Sequence, residues 1–99
     1  MSATVIVSFQ AKSDQVKALS DFLSGLQAGV LEAGGLSITL LQDQDDPTRF
    51  FEIEKWPSAD AHKNFVQGAA AAGAFKPFEA LLATPFQVNY LDTVKHSKS

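Results

Sequence analysis

His62 is the histidine of this sequence that falls inside a patterned segment; the other, His96, stands close to the last residue, Ser99. An imidazole in the first turn of a helix can serve as a general base, because the positive end of the helix dipole disfavours its cationic form. Beside Lys63, the same residue can equally be a partly packed surface histidine. Glu52, Glu54 and Trp56 alternate, so on a strand they share one face. They read either as a carboxylate pair against an aromatic wall or as architecture. In the second case Glu54 pairs with Arg49 or Lys55, or bonds across a dimer, and Trp56 packs at a sheet edge. Paired carboxylates of the glycosidase kind need a defined spacing across a cleft, which one strand does not establish. Asn89 and Tyr90 point to opposite faces of another strand. Tyr90 could donate its hydroxyl to a ligand oxygen or anchor a dimer. Ser8 and Thr39 could orient a ligand or satisfy neighbouring strands. Phe22, Phe50, Phe51, Phe65, Phe75, Phe78 and Phe86 are core candidates, and a subset could wall an apolar pocket.

Other chemistries find no residues. The chain has no cysteine, which excludes disulfides, thiolate metal sites and cysteine nucleophiles. Two histidines, one of them in a tail, make no metal-ligand pattern, and no metal is expected. Gly34 and Gly35 end a helix rather than follow a strand, so they are not a phosphate loop. No Gly-x-Ser-x-Gly elbow occurs. The acidic run Asp43 to Asp46 lacks the full calcium-binding loop. Eight Lys and Arg against eleven Asp and Glu give a formal charge of −3, without a basic run, so nucleic acid is not an expected partner. No apolar run reaches the ~20 residues of a membrane span. Met1 to Thr4 lack the basic start of a secretory signal, and a cytoplasmic location is the expectation.

The elements that must position these residues follow from periodicity. Thr4 to Gln10 alternate as a strand. Ser13 or Asp14 can cap a helix in which Val16, Leu19, Phe22, Leu23, Leu26 and Val30 form an apolar stripe of about five turns. Gly34 and Gly35 end it. Leu36 to Gln42 is a second strand, Asp43 to Thr48 a turn, and Arg49 to Trp56 a third strand, paired with the second as a hairpin. Pro57 stops that strand and Ser58 caps a helix from Ala59 to about Gln67. The run Gly68 to Gly73 is a glycine-flanked joint. Phe75 to Ala83 form a further helical turn or two, and Phe86 to Val94 a fourth strand. At 99 residues with 45% apolar content, one domain over residues 1–95 is expected, with 96–99 a frayed tail.

The order β-α-β-β-α-β predicts an α+β, ferredoxin-like fold: a four-stranded antiparallel sheet with the helices on one face. The other face stays bare. Yet one of each pair Ile6 or Val7, Leu40 or Leu41, Phe50 or Phe51, and Tyr90 or Leu91 must point to it. Burying that surface against a second copy predicts a two-fold homodimer through the open sheet face.

The stretch Asp46-Pro47, Phe50-Phe51, Glu54-x-Trp56, Ser58, Ala61 resembles the antibiotic biosynthesis monooxygenase family. Phe75-x-x-Phe78 and the glycines before the second strand are similar to the same family. The resemblance implies a dimeric α/β barrel with a pocket between helices and sheet in each subunit. It also implies oxidation of quinols or polycyclic phenols by O2 with neither metal nor flavin; a subset of the family degrades haem. Phe65 stands where many members carry a histidine nine residues after the Trp, and Ala74 where many carry another. Haem degradation is disfavoured, since its Asn, Trp and His have no matching set. The expectation is therefore a cofactor-independent monooxygenase acting on a small aromatic, quinol-type substrate. His62, one turn before Phe65, would be its base, with Trp56, Phe65 and Tyr90 as pocket walls. The alternative is a non-catalytic small-molecule-binding or stress-related dimeric barrel protein. A third reading is an isomerase or lyase using the same base without oxygen.

Overall fold

The computed structural model describes residues 2–99. Its elements are β1 (Ala3–Gln10), α1 (Val16–Glu32), β2 (Ser37–Gln42), β3 (Arg49–Trp56), α2 (Ala59–Ala71), α3 (Lys76–Leu81) and β4 (Gln87–Leu91). The strands make one antiparallel sheet in the order β2-β3-β1-β4, the ferredoxin-like topology.

Alternation decides the two faces. Along β1, Ala3, Val5, Val7 and Phe9 are buried; along β3, Phe50, Glu52, Glu54 and Trp56 are. Val5, Val7, Phe9, Phe50 and Trp56 join Leu19, Leu23 and Val30 of α1 and Phe78 of α3 in the core beneath the helices. The register carries the same face outward to the edge strands, where Ile38 and Leu40 on β2 and Val88 on β4 pack against that core. The opposite face takes Ile6, Leu41, Phe51, Ile53 and Leu91, interleaved with Thr4, Ser8, Thr39 and Asn89. Of each ambiguous pair, then, Ile6, Leu41, Phe51 and Leu91 face away from the helices. Ser8 and Thr39 share that outer face, so neither can reach a helix-side ligand. Arg49 lies over the Phe51 ring, 5.1 Å from its centroid, on the same side.

Both long helices end the same way. At α1, Gly34 N–H donates to Leu31 O (3.2 Å) and Gly35 N–H to Val30 O (2.9 Å), with Gly34 at φ 111°. At α2, Gly73 N–H donates to Ala70 O (3.0 Å) and Ala74 N–H to Ala69 O (2.9 Å), with Gly73 at φ 77°. These are Schellman closures, which need a left-handed residue and therefore favour glycine. Gly35 is needed for a different reason. A Cβ there would sit 2.8 Å from Val30 Cγ1 and 2.9 Å from Val30 O, and 3.3 Å from Trp56 Cζ2.

Three local expectations change. Neither Ser13 nor Asp14 caps α1: Gln15 holds the cap position, and no side chain bonds there. The joint does not begin at Gly68, because the helix runs through it to Ala71. Four consecutive alanines outweigh the cost of one glycine, about 1 kcal/mol, so the break waits for Gly73. The fourth strand stops at Leu91, opposite Thr4 and one residue short of the start of β1, and Val94 is fully exposed. Ser58 does cap α2, accepting from Ala61 N–H at 3.1 Å. The Asp43 turn closes on its own backbone: Asp43 Oδ1 accepts from Asp45 N–H (2.8 Å) and Asp46 N–H (3.1 Å). Asp46 Oδ1 accepts the Thr48 hydroxyl at 2.6 Å. This turn sets the hairpin register, and with it the inward face of β3.

Candidate functional site

Two rows across the sheet build the site. Ile38, Glu54, Val5 and Tyr90 lie side by side on β2, β3, β1 and β4; Leu40, Glu52, Val7 and Val88 form the next row. Glu54 and Tyr90 thus flank Val5 from opposite sides, and both face the helices. His62 descends on that row from the first turn of α2 and bridges it. Its Nδ1 is 2.8 Å from the Tyr90 hydroxyl, and its Nε2 faces Glu54 Oε1 at 3.8 Å, beyond hydrogen-bond reach. Glu54 Oε1 also accepts the indole N–H of Trp56 at 2.8 Å. Trp56 packs edge-on to the imidazole and tilted against Phe65, with ring centroids 5.4 Å apart in both pairs. Lys63 covers the Tyr90 ring, its Nζ 5.1 Å from the centroid.

The burial is deep. His62 and Glu54 are each 2% exposed, Glu52 6% and Trp56 0%. His62 is therefore no surface histidine, and Trp56 lies on an inner strand rather than at a sheet edge. Burial lowers the His62 pKa from its ordinary value of 6.5, and the charge of Glu54 only partly restores it. Burial pushes Glu52 up to about 8, reinforced by the charge of Glu54 and by hydrogen bonding to it. Tyr90 is raised by burial and by the same carboxylate, so its hydroxyl keeps its proton. At neutral pH the site holds a neutral imidazole and a protonated Glu52 carboxyl, beside Glu54 accepting from an indole.

A cavity of about 220 Å³ opens onto these groups between the sheet, α1 and α2. Its polar wall is Glu52, Glu54 and His62; every other lining residue is Gly, Ala, Val, Leu or Phe. Phe65 lines it from α2, and Phe75, Phe78 and Phe86 form an aromatic end in mutual contact, with centroids 5.7 to 5.8 Å apart. Gly25 and Gly29 face it from α1, and a Cβ at either would meet nothing within 4 Å. An apolar cavity of about 150 Å³ accommodates benzene, so this one suits a molecule of one or two rings.

Of the residues singled out in the sequence, His62 and Phe65 line the cavity. Trp56 and Tyr90 stand behind it, holding Glu54 and His62. Asn89 points to the other face. Glu52 and Glu54 are the polar residues that sequence reasoning left undecided. Their possible partners Arg49 and Lys55 alternate onto the opposite face, so neither can pair with them from within β3. The signal was Trp56: once an indole at that position is buried, period two draws Glu54 and Glu52 inward with it. Among the described residues, no group of three His, Asp or Glu side chains is arranged to hold a metal ion. No helix among them is long and apolar enough to cross a membrane.

The fold is shared with proteins of known structure. PA3566 from Pseudomonas aeruginosa is 27% identical, with a TM-score of 0.80 over 95% of this chain and 95% of its own. Rv0793 from Mycobacterium tuberculosis is 19% identical, with a TM-score of 0.82 over 99% and 100%. A variant of SnoaB, a cofactor-independent oxygenase from Streptomyces nogalater, is 14% identical, with a TM-score of 0.80 over 96% and 95%. No curated protein matches the sequence. The model of the antibiotic biosynthesis monooxygenase family matches residues 2–77, over three of the four strands and both long helices, Glu54 and His62 included; the chain belongs to that family.

Proposed function

We propose that this protein is a cofactor-independent monooxygenase of a small aromatic, quinol-type molecule, with His62 as its general base. The observation that carries the reading is the gap between His62 Nε2 and Glu54 Oε1. At 3.8 Å it is too wide for a bond between them, and it opens on a cavity of ring-sized volume. A ring hydroxyl entering there meets a neutral imidazole. With Nδ1–H donating to the Tyr90 oxygen, the Nε2 lone pair is free to take the hydroxyl proton. The imidazolium that forms then faces Glu54, whose position is held by Trp56. The deprotonated ring is electron-rich enough to reduce O2 directly, and an apolar aromatic lining suits both ring and O2. The kinship with a cofactor-independent oxygenase is in keeping with this reading.

Oxygen uptake with a panel of hydroquinones tests it. Wild type is expected to consume O2, and His62→Ala to lose at least about a hundredfold, the usual contribution of a general base. Equal rates remove His62 from the mechanism. The second reading, a binding protein without turnover, draws support from Phe65 and Ala74, which line the cavity where many family members carry histidine. Tight hydroquinone binding without O2 uptake would select it. The assembly belongs to the same proposal: a homodimer through the open sheet face, burying Ile6, Phe51, Ile53, Leu41 and Leu91. Light scattering should then give the mass of two 10.6 kDa chains, and Phe51→Asp should give one.

A further inference from the structure

We propose that Glu52 enters this site as a neutral carboxylic acid that donates a hydrogen bond to the substrate oxygen on which negative charge develops. The inference rests on the reading of the cavity given above and deepens it. It starts from a shortage of donors. Loss of a hydroxyl proton leaves an oxygen anion inside a cavity to whose lining the described residues bring no Lys, no Arg, and no Ser, Thr or Asn. The neighbouring donors do not reach it: the Trp56 indole N–H bonds Glu54, and Tyr90, which accepts from His62 Nδ1, stands behind the lining. Besides the imidazolium, the remaining donor in the lining is the acid proton of Glu52.

The surroundings of Glu52 keep it in that form. It is 6% exposed, between Leu40 and Val7 in its row. The charged or titratable groups on its side are Glu54 from its own strand, His62 from α2 and, one row away on β4, Tyr90, which keeps its proton. Helix α1 brings Gly25, Leu26, Gly29 and Val30 to the cavity, β4 brings Val88, and α3 brings Phe78, none of which carries a charge. A carboxyl in apolar surroundings beside a second carboxylate holds its proton through neutral pH, in line with its upward displacement to about 8. In the resting protein the Glu52 proton is directed at Glu54; a substrate oxygen in the cavity takes that donor over, while Glu54 keeps the Trp56 indole N–H and faces the imidazole. A pocket built this way selects a neutral hydroxylated ring. A ligand carrying a carboxylate or phosphate meets no cation here.

Binding of para-nitrophenol, whose absorption separates phenol from phenolate, tests the role without requiring turnover. Wild type at pH 7 is expected to bind it with the phenolate spectrum. Glu52→Gln, whose amide N–H still donates, should stay within about threefold. Glu52→Leu should bind phenolate about tenfold more weakly or worse, with the spectrum moved toward phenol, as expected when one charge-assisted hydrogen bond is lost. Above pH 8 both proteins lose affinity, because the free ligand is then phenolate and forming the imidazolium takes up a proton; the wild type should fall more steeply than Glu52→Gln, since its donor ionises as well. Equal phenolate binding by Glu52→Leu and wild type overturns the donor role and leaves the proposed function standing. Failure of wild type to bind the phenol in either form overturns both. Far-UV circular dichroism on each variant separates loss of binding from loss of fold.

Discussion

Glu52 should impress a pH dependence on stability that one isosteric change removes. In the unfolded chain its carboxyl titrates near 4.5; in the fold it is pushed up to about 8 by burial and by Glu54. Between those values the native state holds a proton that the unfolded state has released. Raising the pH therefore favours unfolding, by about 1.4 kcal/mol for each pH unit. His62 works in the opposite sense. Its folded pKa lies below 6.5, so stability rises with pH up to that value and is indifferent to His62 above it. The two slopes oppose each other below pH 6.5. Between pH 6.5 and 8, Glu52 acts alone, since Tyr90 is displaced upward from 10. The expected loss over that interval is about 2 kcal/mol. For a domain of this size that is roughly 10 °C in Tm. Glu52→Gln keeps the shape, remains neutral at every pH and can donate its amide to Glu54, so its Tm should stay level from pH 6.5 to 8. Thermal denaturation of both proteins across that range is the measurement. A level wild type, or an equal decline in the variant, refutes the assignment of the buried proton to Glu52.

Gly29→Leu fills cavity space at a helical position where a Cβ meets nothing; Tm should hold or rise, helped by about 1 kcal/mol of helix propensity, while titration calorimetry shows hydroquinone binding lost. Gly35→Ala sets a methyl against Val30 backbone and side chain; it should destabilise by about 1 to 3 kcal/mol in urea titrations. Tyr90→Phe strips the hydroxyl from buried His62 Nδ1; it should cost about 1 to 3 kcal/mol of stability. On the proposed mechanism it also lowers kcat more than it raises KM, because the lost partner matters most to the imidazolium.

Period two and glycine placement carried most of the fold. The third strand runs from Arg49 to Trp56 as its alternation indicates, because Asp43 and Asp46 bond their own turn and Pro57 ends the pairing. Helix ends were less legible. Ser13 and Asp14 have capping chemistry, but a cap is set by where the chain leaves β1, and that geometry puts Gln15 at the start of α1. Gly68 resembles a break only while the alanines after it are read as linker. The site was legible to the extent that it follows from alternation: His62 and Tyr90 could be placed near one row only after the strand order was known. The two glutamates show the limit. Local sequence allows each to sit beside Arg49 or Lys55, and only the burial of Trp56, fixed by its contacts with α2, decides that they turn inward.

That inward turn sets stability against chemistry within one strand. A leucine at position 52, between Leu40 and Val7, would extend the apolar row and spare the fold a buried carboxyl beside a second carboxylate. Replacing a whole buried ion pair by apolar side chains of similar size is often neutral or stabilising, by up to about 4 kcal/mol, and among the described residues Glu52 has no cationic partner that such a change would strand. The same change would leave the cavity with His62 as its only donor to a nascent oxygen anion. Glu54 differs, since it accepts from Trp56 and faces His62; removing it strands a buried indole N–H and takes away the carboxyl beside the imidazole. Of the two carboxyls, then, Glu54 has structural work to do in the resting protein, and Glu52 has none that an apolar side chain would not do better. A residue whose cost to the fold has no return within the fold points to what the cavity holds.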